Sequence, residues 1–301
     1  MTVAADADLL DRARGAYLGL AVGDALGATV EFMTPREIRA TFGVHARMRG
    51  GGWLKLRRGQ VTDDTTMSLA LGEAVIACGR VDAEAAARAF DAWMRAKPVD
   101  IGNTVRRGLL HFRRTGDTEA PPSEHDAGNG ACMRCLPVAL ATLGRSDGEV
   151  GAAVRAQAHI THNNPLSDAA CECVVRMVQC ALGSSPRIVA ELHGLARELV
   201  DCHPEFEFRR RQPRENPSAY IVETMQAVFQ ALFDTDGFEA CLVDVVNRGG
   251  DADTTGAIAG MLAGARDGAK AIPYRWVRAL DGETRAACER QARALIAVSG
   301  V

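Results

Sequence analysis

Along most of the chain, hydrophobic residues recur at the three-to-four residue spacing of amphipathic helices, without the alternation typical of strands. This pattern predicts helices at residues 7–22, 64–78, 82–96, 101–114, 131–144, 147–159, 165–182, 185–202, 218–233 and 237–247, another after residue 251, and a final pair. A glycine-punctuated turn carrying Asp24 and Glu31 is expected after the first helix. There is no internal repeat and no low-complexity linker. We therefore predict an all-α protein with a single domain over residues 1–301.

Two polar clusters precede apolar helices and are crowded with carboxylates and hydroxyls. They are Thr62-Asp63-Asp64-Thr65-Thr66 and Gly249-Gly250-Asp251-Ala252-Asp253-Thr254-Thr255-Gly256. One Asp is enough to cap a helix, whereas a second beside it adds repulsion and a desolvation cost. If both helix starts face one cavity, they offer four carboxylates without sulfur or imidazole. Such oxygen donors suit Mg²⁺ or Mn²⁺, and two ions better than one.

The second cluster has two other possible interpretations, a helix cap and a calcium-binding loop. A doubly acidic N-cap on a buried helix would account for an isolated Asp-x-Asp-Thr-Thr motif. DADTTG also matches the opening of an EF-hand calcium loop, but Thr255 then occupies the fifth position and Leu262 the twelfth. An EF-hand needs a bidentate Glu at that twelfth position, so we reject the calcium loop.

Composition narrows the class of protein. The chain has 301 residues, of which 47% are hydrophobic and only 5% aromatic, which favours close-packed helices over sheets. A formal net charge of −3 argues against a nucleic-acid partner. The nine cysteines indicate reduced core thiols. Neither a signal peptide nor a membrane-spanning run is evident, so we expect a cytoplasmic protein.

Three further features have simpler alternatives. Gly128-Asn129-Gly130 can cradle a phosphate through its backbone, but such a sequence is more often only a turn. A zinc site is considered at Cys132, Cys135, His159 and His162 and rejected, because the pairs are too far apart and the cysteines are predicted to lie within a helix. The basic run 209–211 is interpreted as solvated, with docking of an acidic partner as the alternative.

The sequence resembles the ADP-ribosylglycohydrolase family over nearly its whole length. The resemblance rests on six motifs in order: GAYLGLAVGDALGATVEFM, GGGWLKLRRGQVTDDTTMSLALG, PVDIGNTVRRG, DAGNGACMRCLPVALATLG, THNNPLSDAA and NRGGDADTTGAIAGMLAGA. It implies a compact, orthogonal helical bundle that binds two Mn²⁺ or Mg²⁺ ions. The members to which the chain is most similar act on dinitrogenase reductase.

The resemblance also implies a role for individual residues. The implied metal ligands are Thr62, Asp63, Asp64, Asp251, Asp253 and Thr254, and Asp63 also counts with Asp100 and Glu31 as catalytic. The implied substrate-binding residues are Gly102, Asn103, Gly128, Asn129, Gly130, His162 and Tyr220. Glu31 would lie beside the metals and Asp100 would face the guanidinium of the substrate arginine. The glycines around Asn129 would follow the diphosphate, and Tyr220 would stack on the adenine.

The implied reaction is removal of ADP-ribose from an arginine side chain of ADP-ribosylated dinitrogenase reductase, with ADP-ribose as product. A PII-type regulatory protein and reversible membrane association through a partner are further expectations from the family. The alternatives are a hydrolase for another ADP-ribosyl linkage or small compound, and a non-catalytic ADP-ribose-binding protein. Two positions depart from the family pattern: Asn164 replaces a second histidine in THNNP, and Thr66 replaces an acidic residue.

Overall fold

The computed structural model describes residues 3–124, 126–183 and 185–301, with side chains from residue 7 onward. Its α-helices are α1 Val3–Gly27, α2 Pro35–Phe42, α3 Asp63–Cys78, α4 Ala83–Arg95, α5 Asn103–Thr115, α6 Leu136–Ala141, α7 Asp147–Ala158, α8 Pro165–Leu182, α9 Ile188–Cys202, α10 Ile221–Asp234, α11 Gly237–Val246, α12 Ala252–Asp267, α13 Tyr274–Val277 and α14 Gly282–Ser299. Short 3-10 turns lie at Pro204–Phe206 and Ala269–Ala271. The described residues form only two isolated β-bridges, which confirms the all-α prediction.

The closest helix pair joins α1 to α12, the helix that follows the second acidic cluster. Glycines recur every four residues on both helices and face one another in antiparallel order. The facing pairs are Gly15 with Gly264, Gly19 with Gly260, Gly23 with Gly256 and Gly27 with Ala252. A Cβ placed on Gly23 would lie only 1.9 Å from the Gly256 carbonyl oxygen. The helices therefore touch backbone to backbone, which places the end of α1 beside the start of α12.

Other helices surround this pair and complete the core. Helix α12 also packs against α8, α10 and α11, while α14 packs against α1 and α3. Nearly all of α12 is buried, from Ala252 to Arg266. No helix among the described residues is long and apolar enough to cross a membrane.

Several predicted helix boundaries were wrong. Helix α1 continues to Gly27 rather than ending at residue 22, so Asp24 lies on the helix and not in a turn. Helix α2 was not predicted, although Thr34 and Glu37 form a capping box around Pro35. The helix predicted at 131–144 covers only Leu136–Ala141, because Pro137 starts a helix well but cannot continue one from upstream.

The prediction that the cysteines are reduced thiols in the core is confirmed only in part. All nine are free, and six are buried, whereas Cys78 and Cys202 are exposed and Cys180 is half-buried. Cys132 and Cys135 lie in the turns ahead of α6, rather than within a helix as predicted. Among the described residues, the one group of carboxylate, thiol or imidazole side chains close enough together to hold a metal ion consists of Glu31, Asp251 and Asp253.

Candidate active site

The two acidic clusters meet in the structure. The Thr62 hydroxyl lies 3.1 Å from Asp64 Oδ2 in its own cluster and 3.4 Å from Asp253 Oδ2 in the other. Ligand atoms of Glu31, Asp251 and Asp253 all lie within 4.8 Å of one another. Glu31 thus joins the second cluster directly, where the sequence had placed it only beside the metal ligands.

Neither cluster caps its helix with a side chain. Thr62 occupies the N-cap position of α3 and Asp251 that of α12, yet neither side chain accepts a hydrogen bond from the first turn. The interpretation of the second cluster as a doubly acidic cap is therefore wrong. Asp64 Oδ1 is buried without any hydrogen-bond partner among the described residues. A buried carboxylate oxygen without a donor is costly, and a cation would satisfy it.

Burial and crowding raise the pKa of every carboxyl in the clusters. The pKa of Asp63 rises to about 7, chiefly through burial and then through Asp100 and Asp24. Burial, and after it the neighbouring carboxylates, raise the pKa of Asp64 and Asp253 well above the ordinary value. Burial raises the pKa of Asp251 as well, although the Asn129 side chain opposes the shift. The negative charge of these carboxylates is therefore not balanced by nearby positive side chains among the described residues, as expected for a site that binds cations.

A buried carboxylate on α1, to which the sequence assigned no role in the site, fixes the first cluster. Asp24 accepts hydrogen bonds from the backbone N–H groups of Thr62 and Thr65, at 2.9 and 3.1 Å. It also accepts from both of their hydroxyls, at 3.0 and 2.5 Å. Four donors from the start of α3 thus converge on one side chain. A sequence signal existed only in the acidic residue itself, because its partners lie on a distant segment.

The second cluster is fixed differently. The Asn129 side chain donates to Asp251 Oδ2 at 2.6 Å and to the Thr224 hydroxyl at 3.0 Å. Thr254 donates its backbone N–H to Asp253 Oδ1 at 2.9 Å. Asn129 therefore orients a carboxylate, a role that the predicted phosphate cradle did not include.

The clusters open into a cavity of about 690 Å³. Its lining includes the predicted site residues Glu31, Asp63, Asp100, Gly102, Asn103, Gly128, Asn129, Gly130, His162, Asp251, Asp253 and Thr254. Thr62 and Asp64 are buried behind this surface and do not line it. Tyr220 also lies outside the lining: its side chain is 41% exposed and its backbone pairs with Gly128.

Asp100 does not cap helix α5. The helix begins at Asn103 with Gly102 as its N-cap, two residues later than predicted. Among the described residues, Asp100 Oδ1 accepts a hydrogen bond from the Ile101 backbone N–H alone, at 2.8 Å, and the carboxylate faces the cavity. A helix beginning at residue 101, as the sequence predicts, would make Asp100 a simple N-cap, and that interpretation is therefore wrong. The loop also touches the first cluster, since Gly102 donates its N–H to Asp63 Oδ2 at 3.4 Å.

His162 explains the glycines of the Gly128–Gly130 segment. A Cβ on Gly128 would lie 2.9 Å from His162 Nε2, and one on Gly130 would lie 2.8 Å from Cε1. Both glycines are therefore needed for the imidazole to pack between them and reach the cavity. Burial, and then the charges of Arg134 and Arg107, lower the pKa of His162 to about 3, so the ring is neutral.

The two departures from the family pattern lie outside the cavity lining. Asn164 caps α8 by accepting the Leu166 N–H at 2.9 Å, and its amide donates to the Ser123 carbonyl. Thr66 donates its hydroxyl to the Thr62 carbonyl at 2.9 Å. Asn164 thus has a structural role here, and of THNNP only His162 lines the cavity.

Glu31 has an aromatic partner that the sequence did not predict. The indole N–H of Trp53 donates to Glu31 Oε2 at 2.6 Å, and Trp53 lines the cavity with Phe32. Burial raises the pKa of Glu31 to about 8, with smaller contributions from Asp251, Asp100 and Asp63, while the Trp53 hydrogen bond opposes the shift.

The chain is thus an all-α protein in which two carboxylate-rich helix starts face one cavity and could hold a metal ion. The chain belongs to the ADP-ribosylglycohydrolase family, which it matches over residues 5–300. It is 53% identical to the ADP-ribosyl-[dinitrogen reductase] glycohydrolase of Rhodospirillum rubrum, over 97% of either chain. It is 32% identical to the ADP-ribosylarginine hydrolase Tri1 of Serratia proteamaculans, over 93% of this chain and 78% of that protein.

A solved structure agrees with the fold. The ADP-ribosylglycohydrolase-related protein complex superposes with a TM-score of 0.86 at 36% identity, over 97% of this chain and 99% of that one. The family resemblance predicted from the six motifs is thereby confirmed.

Proposed function

We propose that this protein hydrolyses the bond between ADP-ribose and an arginine side chain of a target protein. The observation that carries the proposal is the convergence of both acidic clusters with Glu31 and Asp100 on one cavity. Its volume of about 690 Å³ lies in the range of pockets that enclose small ligands. The relatives named above act on ADP-ribosylated arginine or dinitrogen reductase, which supports the same linkage here.

The residues present fit a pair of divalent cations. The proposed ligands are Thr62, Asp63, Asp64, Asp251, Asp253 and Thr254, an all-oxygen set that suits Mn²⁺ or Mg²⁺. The unpartnered Asp64 Oδ1 and the raised pKa values of the carboxyls support cation binding. When bound, the cations would supply Lewis-acid polarisation of substrate oxygens and balance the negative charge of the site.

Asp100 is the proposed partner of the substrate guanidinium. One of its oxygens already accepts the Ile101 N–H, which fixes the carboxylate toward the cavity. A guanidinium presents paired N–H donors whose geometry matches a carboxylate. Asp100 can therefore orient the leaving arginine and stabilise its positive charge as the bond to ribose breaks.

Glu31 and Asp63 are the other proposed catalytic groups. Burial raises the pKa of Glu31, and the indole N–H of Trp53 fixes the orientation of its carboxyl group. Asp63 belongs to the first cluster and accepts a hydrogen bond from Gly102, which connects that cluster to the Asp100 loop. These positions suit the transfer of a proton to or from the reacting groups.

The rest of the cavity is proposed to bind ADP-ribose. Gly102, Asn103 and the segment 128–130 line this part of the cavity, although the backbone N–H groups of Gly128 and Asn129 already donate to protein carbonyls. The neutral His162 can hydrogen-bond a ribose hydroxyl. Tyr220, exposed and paired with Gly128 through its backbone, is the proposed platform for the adenine.

The proposed target is ADP-ribosylated dinitrogenase reductase, which hydrolysis would reactivate. The relative from Rhodospirillum rubrum supports this choice, because the similarity covers 97% of both chains. We extend the proposal to a PII-type regulatory partner on family resemblance alone.

The test is release of ADP-ribose by the Mn²⁺-loaded protein from matched substrates modified on arginine or on serine. We expect release from arginine to be at least about 100-fold faster, because a serine linkage gives Asp100 no guanidinium to pair with. The control variant is Asp201→Ala, a substitution of an exposed residue on α9, which measures any nonspecific loss of activity. Equal rates on both linkages, or no release from arginine, would contradict the proposal.

A further inference from the structure

Residues 47–58 form a basic hairpin beside the mouth of the cavity. Gly51 and Leu56 pair through two backbone hydrogen bonds, of 2.8 and 2.9 Å. Trp53 lies in the turn between them and lines the cavity. The basic hairpin therefore joins the protein surface directly to the candidate active site.

The charge of this segment differs from that of the whole chain. Between Glu37 and Asp63 the sequence has six basic residues and no acidic one, although the formal net charge of the protein is −3. Five of the six lie on the basic hairpin and are exposed: Arg47, Arg49, Lys55, Arg57 and Arg58. Within the described part of the chain, none of these five forms an ion pair, whereas exposed arginines such as Arg88 and Arg95 do. Their charge is therefore available to acidic groups outside the molecule.

An apolar patch extends the basic hairpin across the mouth. Phe32 is 64% exposed and Trp53 is 52% exposed, with ring centroids 5.4 Å apart. The Trp53 indole is tied to Glu31, and Phe32 donates its backbone N–H to the Gly250 carbonyl at 2.7 Å. Phe32 also has a positive φ of 62°, an uncommon backbone conformation for a residue other than glycine. Exposed aromatic rings held in fixed positions are typical of protein-binding surfaces.

The backbone of the basic hairpin is also held in place, both within its turn and just after its last residue. A Cβ on Gly52 would lie 2.4 Å from the Ala28 carbonyl oxygen, and one on Gly59, just after the hairpin, would lie 1.8 Å from that of Ala279. The backbone thus packs tightly against the end of α1 and the segment before α14. Because the surface is already ordered, a partner that binds it loses little conformational entropy in doing so.

We propose that the basic hairpin and Phe32 dock the ADP-ribosylated target protein, through an acidic surface with an apolar patch next to the modified arginine. This inference rests on the proposed function, because a target whose arginine reaches Asp100 must contact the mouth of the cavity. Continuity with the cavity favours a protein substrate over a nucleic acid or a membrane, since only the substrate must approach Trp53 and Asp100 together. Unpaired positive charge would speed its association and orient it.

The test compares two substrates: ADP-ribosylated dinitrogenase reductase and the small compound ADP-ribosylarginine. The variant is Arg57→Glu with Arg58→Glu, which reverses two charges outside the cavity lining. The matched control is Arg145→Glu with Arg293→Glu, two exposed residues away from the basic hairpin that form no ion pair among the described residues. Both variants change the net charge by the same amount.

We expect kcat/KM for the protein substrate to fall by roughly 10-fold or more at low salt in the basic-hairpin variant only. The small substrate should be hydrolysed within about twofold of wild type, and the difference should shrink at high salt. Lys55→Glu should lose about threefold on the protein substrate alone. An unchanged rate on the protein, or an equal loss on both substrates, would overturn the proposal. Wild-type hydrolysis of ADP-ribosylarginine tests the proposed function separately.

Discussion

The two acidic clusters have similar sequences but are stabilised in different ways. The first, at the start of α3, depends on the side chain of Asp24, which accepts four hydrogen bonds from Thr62 and Thr65. The second, at the start of α12, lies at the end of the glycine contact with α1 and is oriented by Asn129. One cluster is thus positioned by a buried charge and the other by backbone packing. Helix α1 supplies both supports, so it sets the distance between the clusters.

Among changes outside the metal-ligand set, the largest expected effect concerns Asp100, which belongs to neither cluster. If the clusters alone perform the reaction, Asp100→Asn should be nearly harmless. If Asp100 pairs with the guanidinium, Asn keeps the shape but removes the charge, at a cost of about 2–4 kcal/mol in transition-state stabilisation. We expect kcat/KM for ADP-ribosylarginine to fall roughly 30- to 1,000-fold, with Mn²⁺ content and melting temperature near wild type. Activity within threefold of wild type would show that the clusters suffice.

Replacing the side chain that orients each cluster, Asp24 for the first and Asn129 for the second, sharpens the comparison further. Asp24→Asn keeps the size of the side chain but cannot accept all four hydrogen bonds, so the first cluster should lose its orientation. Residues that orient metal ligands typically contribute 10- to 100-fold in affinity. We expect Mn²⁺ affinity, measured by calorimetry, to fall by about that factor in Asp24→Asn, and by roughly 10-fold in Asn129→Ala, which removes one hydrogen bond to Asp251. Unchanged affinity in Asp24→Asn would show that α3 holds the cluster without α1.

A smaller effect, on stability, tests the backbone contact between α1 and α12. Gly23→Ala would place a Cβ 1.9 Å from the Gly256 carbonyl oxygen and force the helices apart. We expect the free energy of unfolding to fall by about 2–3 kcal/mol. Gly194→Ala on α9 is the control, because nothing lies within 4 Å of its Cβ. That change should raise stability by about 0.5–1 kcal/mol, since Ala favours a helix over Gly. Equal effects of the two changes in chemical denaturation would disprove the close contact.

The sequence was most informative where the chemistry is local. The clusters at Thr62–Asp64 and Asp251–Thr254 are recognisable because carboxylates beside one another ahead of an apolar helix need an explanation. Most of the long helices were also predicted, since their hydrophobic spacing is a local property. The capping box at Thr34 and Glu37 was equally visible in the sequence and was overlooked.

What the sequence could not reveal depends on contacts between distant segments. The four-residue glycine spacing on α1 and α12 is visible, but the pairing of Gly23 with Gly256 is not. The roles of Asp24, and of Trp53 as a partner of Glu31, likewise exist only after folding. Asp100 was misleading because of a local pattern. An Asp just before a predicted helix indicates an N-cap, but helix α5 begins two residues later than predicted.

The most direct test of the central claim is Mn²⁺ binding to variants with one altered cluster. Because both clusters are proposed to form one metal centre, Asp64→Ala and Asp251→Ala should each abolish the high-affinity binding of two Mn²⁺ ions. Hydrolysis of ADP-ribosylarginine should fall by roughly 1,000-fold or more in each. The fold should survive, because apolar packing supplies most of its stability. We expect wild type to bind two Mn²⁺ ions and neither variant to retain either ion tightly. Two tightly bound Mn²⁺ ions in Asp251→Ala would contradict it.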